Sequence, residues 1–248
     1  MRGTMNEIEN IYIRKSNDLI RKARFNLSLQ QQKVILYLIG KINPLDEDFH
    51  EYTLNINEFC KACGIDAQSG KTHEYIKEQI KTIADKSLWI KMPNGKETLI
   101  RWIEKATIDK GNIIIRLDSD LKPYLLNLHS NYTKYELLWT LAFKSKYTIR
   151  LYEYIKSIHY DKLREYEHTI SIDELKVRLN AENYEEYYKF RQKVLDKAIE
   201  EINAQSDIKL SYTANKEGRQ IKSITLKVKP ITDFKERLEH YQKAQEGK

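Results

Sequence analysis

Three features of this sequence have the residue types of chemical sites. Ser69-Gly70-Lys71-Thr72 ends like a phosphate-binding loop, in which backbone amides wrap the phosphates and the lysine reaches them. That loop requires Gly, four residues, then Gly-Lys-Ser/Thr, and it follows a strand. Here the upstream glycine is Gly64, five residues intervene, and the preceding segment has a helical pattern. A turn between two helices accounts for the motif better than a nucleotide site does. Cys60-Lys61-Ala62-Cys63 has the spacing of half a zinc site, but zinc takes four ligands. The chain has no other cysteine, so His50 and His73 would have to complete it. Thiol–disulfide chemistry at such a motif goes with a βαβ context, which is missing. Two small side chains on a short, partly buried helix are the plainer account. The six histidines are scattered, with no His-x-His pair to hold a metal beside a DNA-cleaving tyrosine, so the 17 tyrosines do not suggest a nickase. Tyr152 and Tyr154 lie beside apolar positions of one helix, where core and boundary tyrosines sit. No cofactor and no metal are expected.

What remains is the chemistry of charge. The net charge is +7, and it is not confined to a tail. Residues 1–125 carry 20 Lys+Arg against 17 Asp+Glu, and residues 126–248 carry 23 against 19, so each half can own a basic surface. Basic surfaces draw polyanions through counterion release. Hydrophobic residues make up 41%, enough for real cores, and the 8 Gly and 4 Pro exclude a collagen-like or low-complexity chain. No apolar run approaches the roughly 20 residues that cross a bilayer, and no apolar segment at the start reads as a signal peptide. Two cysteines suit a reducing cytoplasm. Met1-Arg2-Gly3-Thr4, ahead of Met5, reads as an expression leader.

The elements that must position any basic site appear twice. Ser28 caps a helix to about Ile42, whose Val34, Ile35, Leu38 and Ile42 recur at helical spacing. Tyr52-Thr53-Leu54 reads as a strand. Asn57 is the expected cap of a short helix through Cys63, closed by Gly64. A longer helix spans Lys71–Lys86. Two strands around Pro93-Asn94-Gly95-Lys96 form a hairpin, since Asn-Gly between apolar runs is a strong turn signal, and Ile113–Ile115 closes the unit. The second half repeats this order. A helix covers Tyr147–Ile158, His168–Ile170 is a strand, and Asp173 is the expected cap of a short helix to Leu179. A longer helix spans Glu185–Asn203, and a hairpin turns at Glu217-Gly218. Tyr52–Phe59 matches His168–Leu175 in pattern, 116 residues on. Helix, strand, short helix, longer helix and hairpin make a winged helix. The expected fold is therefore α+β: two tandem winged-helix domains related by duplication, over 5–126 and 127–230, with a polar helical tail over 231–248.

In such a unit the longer helix buries one face and offers the other to the major groove. On a helical wheel, Glu185–Asn203 buries Tyr187, Phe190, Val194, Leu195, Ala198 and Ile202. The opposite side shows Lys189, Lys193 and Lys197 with Glu186, Asp196 and Glu200; Lys189, Gln192 and Lys193 lie toward the N-terminal half, and Arg191 falls nearer the buried side. In the first unit Lys71, Tyr75 and Lys81 face outward, but so do Glu74, Glu78 and Asp85, which leaves an ordinary solvated helix as a serious competitor. The second unit is the stronger reader. The expected wings carry Lys91, Lys96 and Arg101 in the first unit and Lys216, Arg219 and Lys222 in the second; phosphate contact and plain surface lysine are equal readings for each. Ser145, Lys146 and Tyr147 start a helix, where exposed amides favour phosphate. Lys146 and Arg150 add charge there, against the alternative of packing between the modules.

Two stretches resemble the initiator replication proteins of iteron-bearing, theta-replicating plasmids. One runs Lys15-Ser16-Asn17-Asp18-Leu19-Ile20, then Ala23, Leu27-Ser28 and Gln32-Lys33. The other is Ser145-Lys146-Tyr147-Thr148-Ile149-Arg150-Leu151-Tyr152-Glu153-Tyr154-Ile155-Lys156. Phe190-Arg191 with Val194-Leu195 and Ala198 is similar to that family's second recognition helix. The resemblance implies monomers on direct repeats of double-stranded DNA at an origin, opening of adjacent AT-rich duplex, and recruitment of host replication proteins such as helicase or initiator. It also implies a monomer–homodimer equilibrium, with dimers joined through the first module repressing their own gene. A winged-helix transcriptional regulator and a rolling-circle nicking enzyme are the rival readings.

Overall fold

The computed structural model describes residues 11–43, 45–66, 70–91, 95–159 and 164–246. The leader Met1–Thr4, Ser69, and Pro93-Asn94 of the hairpin turn lie outside the described residues. Two compact units divide between Ala142 and Phe143.

The first unit runs β1 (Tyr12–Ser16), α1 (Asn17–Lys22), β2 (Ala23–Arg24), α2 (Leu29–Gly40), β3 (Tyr52–Asn55), α3 (Ile56–Cys63), α4 (Gly70–Ala84), β4 (Ser87–Lys91), β5 (Glu97–Arg101), β6 (Ile103–Asp109), β7 (Asn112–Leu117), α5 (Lys122–Leu125), β8 (Tyr132–Glu136) and α6 (Leu137–Ala142). Ser28 starts α2 with a full capping box: its hydroxyl accepts from the Gln31 amide, and the Gln31 side chain accepts from the Ser28 amide. Val34, Leu38, Leu54, Phe59 and Ile76 meet in the core beneath. The α3 cap is Asn55, whose side chain accepts from the Glu58 amide, and not Asn57, which lies one turn position inside the helix.

The unit extends past the expected boundary at 126. β8 pairs antiparallel with β1, and the Thr133 hydroxyl donates to Asn17 Oδ1 at 2.6 Å. Residues 132–136 therefore complete the first unit's own sheet. The wing also moves. β4 and β5 do form a hairpin, with Trp89 opposite Leu99, but it pairs onto β2. The hairpin that pairs onto β3 is β6–β7.

The second unit runs α7 (Lys146–Ile158), β9 (Tyr166–Ser171), α8 (Ile172–Leu179), α9 (Tyr187–Phe190), a π-helical turn (Arg191–Leu195), α10 (Asp196–Gln205), β10 (Ile208–Glu217), β11 (Gln220–Pro230) and α11 (Phe234–Glu246). Its sheet has the order β10-β11-β9, matching β6-β7-β3 of the first unit. By that match β6–β7 is the first unit's wing, and β4–β5 is an insertion ahead of it. Ser171, and not Asp173, caps α8 through the Glu174 amide. Tyr152, Ile155, Leu175, Phe190, Leu195, Ile202, Ile224 and Leu226 form the core. The α11 helix is docked on its unit through buried His240 and Ala244. Two tandem winged helices are the architecture.

Candidate DNA interface

The second unit's long helix, over 187–205, buries Phe190, Val194, Leu195, Ala198, Ile199 and Ile202 and exposes Tyr188, Lys189, Arg191, Gln192, Lys193, Lys197 and Glu200. Burial of the first set fixes the helix against α7, so the second set must face away from the core. The π-helical turn alters the wheel. An extra residue in one turn delays the following positions, so residues before and after 191–195 do not share one 3.6-residue phase. That is why Arg191, expected nearer the core, stands exposed, and why Tyr187 is only half-buried. Lys189 is partly neutralised by Glu186 at 2.7 Å. Arg191 lies 3.4 Å from Asp196 and over the Tyr188 ring at 6.0 Å.

Beside this helix stands the wing. Gly218 takes φ +62 at its tip, a left-handed conformation that glycine adopts without a Cβ clash. Asn215 donates to Ser223 and Thr225 across the two strands, at the point where the register shifts. Lys216, Arg219 and Lys222 are all exposed around that braced tip. Helix and wing are joined by Tyr212 on β10, whose hydroxyl donates to Asp196 at 2.7 Å.

The α7 N-terminus behaves in two ways. The Ser145 hydroxyl accepts from the Tyr147 amide. Lys146 lies over the Tyr147 ring at 5.1 Å, and both stay partly accessible. Burial, helped by a hydrogen bond with Tyr184, pushes the Tyr147 phenol up to about 12, so it stays neutral. Arg150, expected at the surface, does not face outward. It is buried, and its Nε and Nη2 donate to the Arg178 carbonyl at the end of α8, at 3.0 and 2.7 Å. Position 150, one turn into α7, faces α8. Burial lowers its pKa to about 10, which leaves it charged at neutral pH.

In the first unit Lys71, Tyr75 and Lys81 are exposed on α4, as are Glu74 and Glu78 on it and Asp85 just past its end, and Lys77 pairs with Glu74 at 2.7 Å. That face is electrically mixed, as the sequence suggests. Lys91, Lys96 and Arg101 are exposed on the inserted hairpin and not on the wing proper. The wing tip is at Lys110-Gly111, where Lys110 has φ +41. Periodicity alone did not reveal this, because β6 has no buried alternation beyond Ile103.

The motifs with catalytic residue types are placed otherwise. Gly70, Lys71 and Thr72 open α4, with the Thr72 hydroxyl donating to the Asp66 carbonyl, and the element before them is a helix. Cys60 and Cys63 are buried on α3, and burial pushes the Cys60 thiol up, away from the reactive thiolate. His50 lies against Asp46, and His73 against Asn57. Among the described residues no three His, Cys, Asp or Glu side chains converge as a metal site. No helix among them is long and apolar enough to cross a membrane.

Comparison with known proteins decides between the winged-helix readings. Residues 12–156 match the family described as "Initiator Replication protein, WH1", and residues 171–228 match "Initiator Rep protein, WH2". The chain belongs to the initiator replication protein family. Among curated relatives of this initiator, a replication initiation protein of Escherichia coli is 25% identical over 221 residues, 86% of this chain and 68% of the relative. A PI protein of Escherichia coli is 30% identical over 142 residues, 51% of this chain and 46% of the relative. The initiator's fold is that of a solved Pi initiator protein in complex with iteron DNA, with a TM-score of 0.76 at 22% identity, covering 90% of this chain and 98% of that one. Domains 2 and 3 of RctB share the fold more loosely, with a TM-score of 0.50 at 13% identity.

Proposed function

We propose that this initiator reads the direct repeats of a plasmid origin as double-stranded DNA, with the second unit as the main reader. What supports the reading is the set of exposed basic side chains on the 187–205 helix and on the β10–β11 wing, two elements linked by the Tyr212–Asp196 hydrogen bond. Arg191, Gln192, Lys193 and Lys197 stand on the helix, and Lys216, Arg219 and Lys222 stand on the wing, all exposed. The helix supplies base contacts from the major groove, and the wing and Lys146 supply phosphate contacts that set the register. The first unit adds a weaker contact through Lys71, Tyr75 and Lys81, and it joins two copies in the dimer. Lys91 and Lys96 belong to the inserted hairpin, so they serve that unit's contacts and are not wing residues.

The family and the fold shared with an iteron-bound initiator support this reading over a transcriptional regulator. The role is one of binding: the chain opens an adjacent duplex and recruits host replication proteins without a bond-making step of its own, in the cytoplasm. Gel-shift titrations on the direct repeats beside the gene test the proposal. Binding should prefer the repeat over a scrambled duplex by a factor of roughly a thousand or more. Equal affinity for both at moderate salt would reject sequence reading. Metal-dependent nicking of supercoiled origin DNA would favour the enzymatic rival.

A further inference from the structure

The recognition helix and the wing of the second unit share one carboxylate. Asp196 Oδ1 accepts the Tyr212 hydroxyl at 2.7 Å, while Oδ2 lies 3.4 Å from Arg191 Nε. In a regular α-helix, residues five apart stand about 140° apart around the axis and do not pair. Here the Asp196 amide donates to the Arg191 carbonyl, an i→i+5 bond, and the π-helical turn brings the two side chains to one side. The guanidinium also lies over the Tyr188 ring at 6.0 Å, and Tyr188 is 60% exposed. Arg191 is therefore held from two directions while its side chain stays 46% exposed. Burial, with the bond to Asp196, pushes the Tyr212 phenol up, so its proton stays in place and the bond persists.

A carboxylate on a DNA-facing helix repels phosphate, so it costs affinity unless it does something else. A loosely held arginine meets phosphates and base edges alike. An arginine held in one pose presents its planar donors to one base, and the matching edge is guanine O6/N7. We propose that Asp196 is a positioning residue for sequence reading, tying Arg191 to the wing strand through Tyr212 so that the guanidinium meets one guanine. This rests on the reading that the 187–205 helix enters the major groove.

The test begins with the full-length wild-type chain and a random double-stranded library. The selected duplex and a scrambled duplex of equal length and composition are then the two probes. No enrichment by wild type defeats the DNA reading and the proposal together. Where a duplex is selected, D196N should bind it about tenfold more weakly, yet bind the scrambled duplex at least as tightly, because a negative charge has gone. Reselection with D196N should lose the guanine preference at one position, and R191K should lose it at the same position, since an ammonium lacks the paired donors. Thermal midpoints accompany every variant. An unchanged preference ratio and consensus in D196N overturn the proposal. So does an equal loss on both probes with a lowered midpoint, which leaves Asp196 a structural part only.

Discussion

Gly64 and Asn180, 116 residues apart, close corresponding helices with the same left-handed turn. Gly64 has φ 66 and ψ 32, and Asn180 has φ 54 and ψ 51. The next amide of each, Ile65 and Ala181, donates to Cys60 and Lys176, both at 2.8 Å. The two amides satisfy carbonyls that the helix end leaves open. Asn55 and Ser171, which cap the same two helices at their starts, keep the same offset. Start and stop of the short helix are thus duplicated together, which fixes where the turn to each recognition helix begins.

Asparagine is the less comfortable occupant of that turn. The left-handed region costs an ordinary L-residue about 1–2 kcal/mol, and glycine little. Asn180→Ala should lower the stability of the second unit by about 1 kcal/mol. Asn180→Gly should leave it unchanged or slightly raised. Urea unfolding of both variants checks this, and equal losses would mean that the Asn180 side chain itself matters.

Lys193 and Lys216 test the proposed division between base and phosphate contacts. Lys193 stands on the recognition helix and Lys216 on the wing. Lys193→Ala should cost about 1–3 kcal/mol of discrimination between repeat and mismatched duplex. Lys216→Ala should weaken all duplexes together and reduce the salt slope by about one. Titrations at several salt concentrations on two duplexes measure both. Uniform losses from Lys193→Ala would move that residue to the phosphate class.

Most of this was legible in the sequence, for local reasons. Ser28 as a cap, Gly64 as a stop and the 3.6-residue apolar rhythm of 28–42 are signals carried by neighbouring residues. What escaped depends on partners far along the chain. The pairing of 132–136 with 12–16 moved the domain boundary, and nothing within either segment announces it. The choice of β6–β7 as the wing depends on which hairpin meets β3, while the strong Asn-Gly signal belongs to the inserted one. The exposure of Arg191 depends on a π-helical turn, which an even wheel cannot represent. The link between Asp196 and Tyr212 joins a helix to a strand, and composition gives no hint of it.

Arg150 holds two helices together and is buried. Its two donors to the Arg178 carbonyl fix α7 to the end of α8. Arg150→Ala should destabilise the second unit by about 1.5–3 kcal/mol, the range for a hydrogen bond from a charged group. The salt slope of DNA binding by the folded fraction should stay as in wild type. A slope reduced by about one with stability intact would return Arg150 to the phosphate contacts.

The docking of α11 should depend on pH through His240. Its Nδ1 donates to the Ser206 carbonyl at 2.8 Å, and its Nε2 accepts from Lys209 Nζ at 3.0 Å. The bond from Lys209 requires a neutral ring, because a protonated Nε2 cannot accept, whereas the bond to Ser206 survives protonation. Burial depresses the pKa below its usual 6.5, and the charges of Lys209 and Lys243 add to that, against Glu236 and the Ser206 hydrogen bond. A histidine with a depressed folded pKa contributes stability above its unfolded value, and that contribution is lost as pH falls through the folded value. The second unit should therefore weaken as pH falls below about 6.5. Asp207 acts lower on the scale. Burial raises its pKa, but Lys156 at 2.8 Å and the Tyr152 hydroxyl outweigh this and hold it below the usual carboxylate range. Its contribution persists until the medium is more acidic than about pH 4. His240→Gln keeps a donor and an acceptor but does not titrate. Its stability should be flatter than wild type's between about pH 7 and 5, with the acid loss from Asp207 retained. Equal slopes for the two proteins across that window would mean that another group carries the dependence.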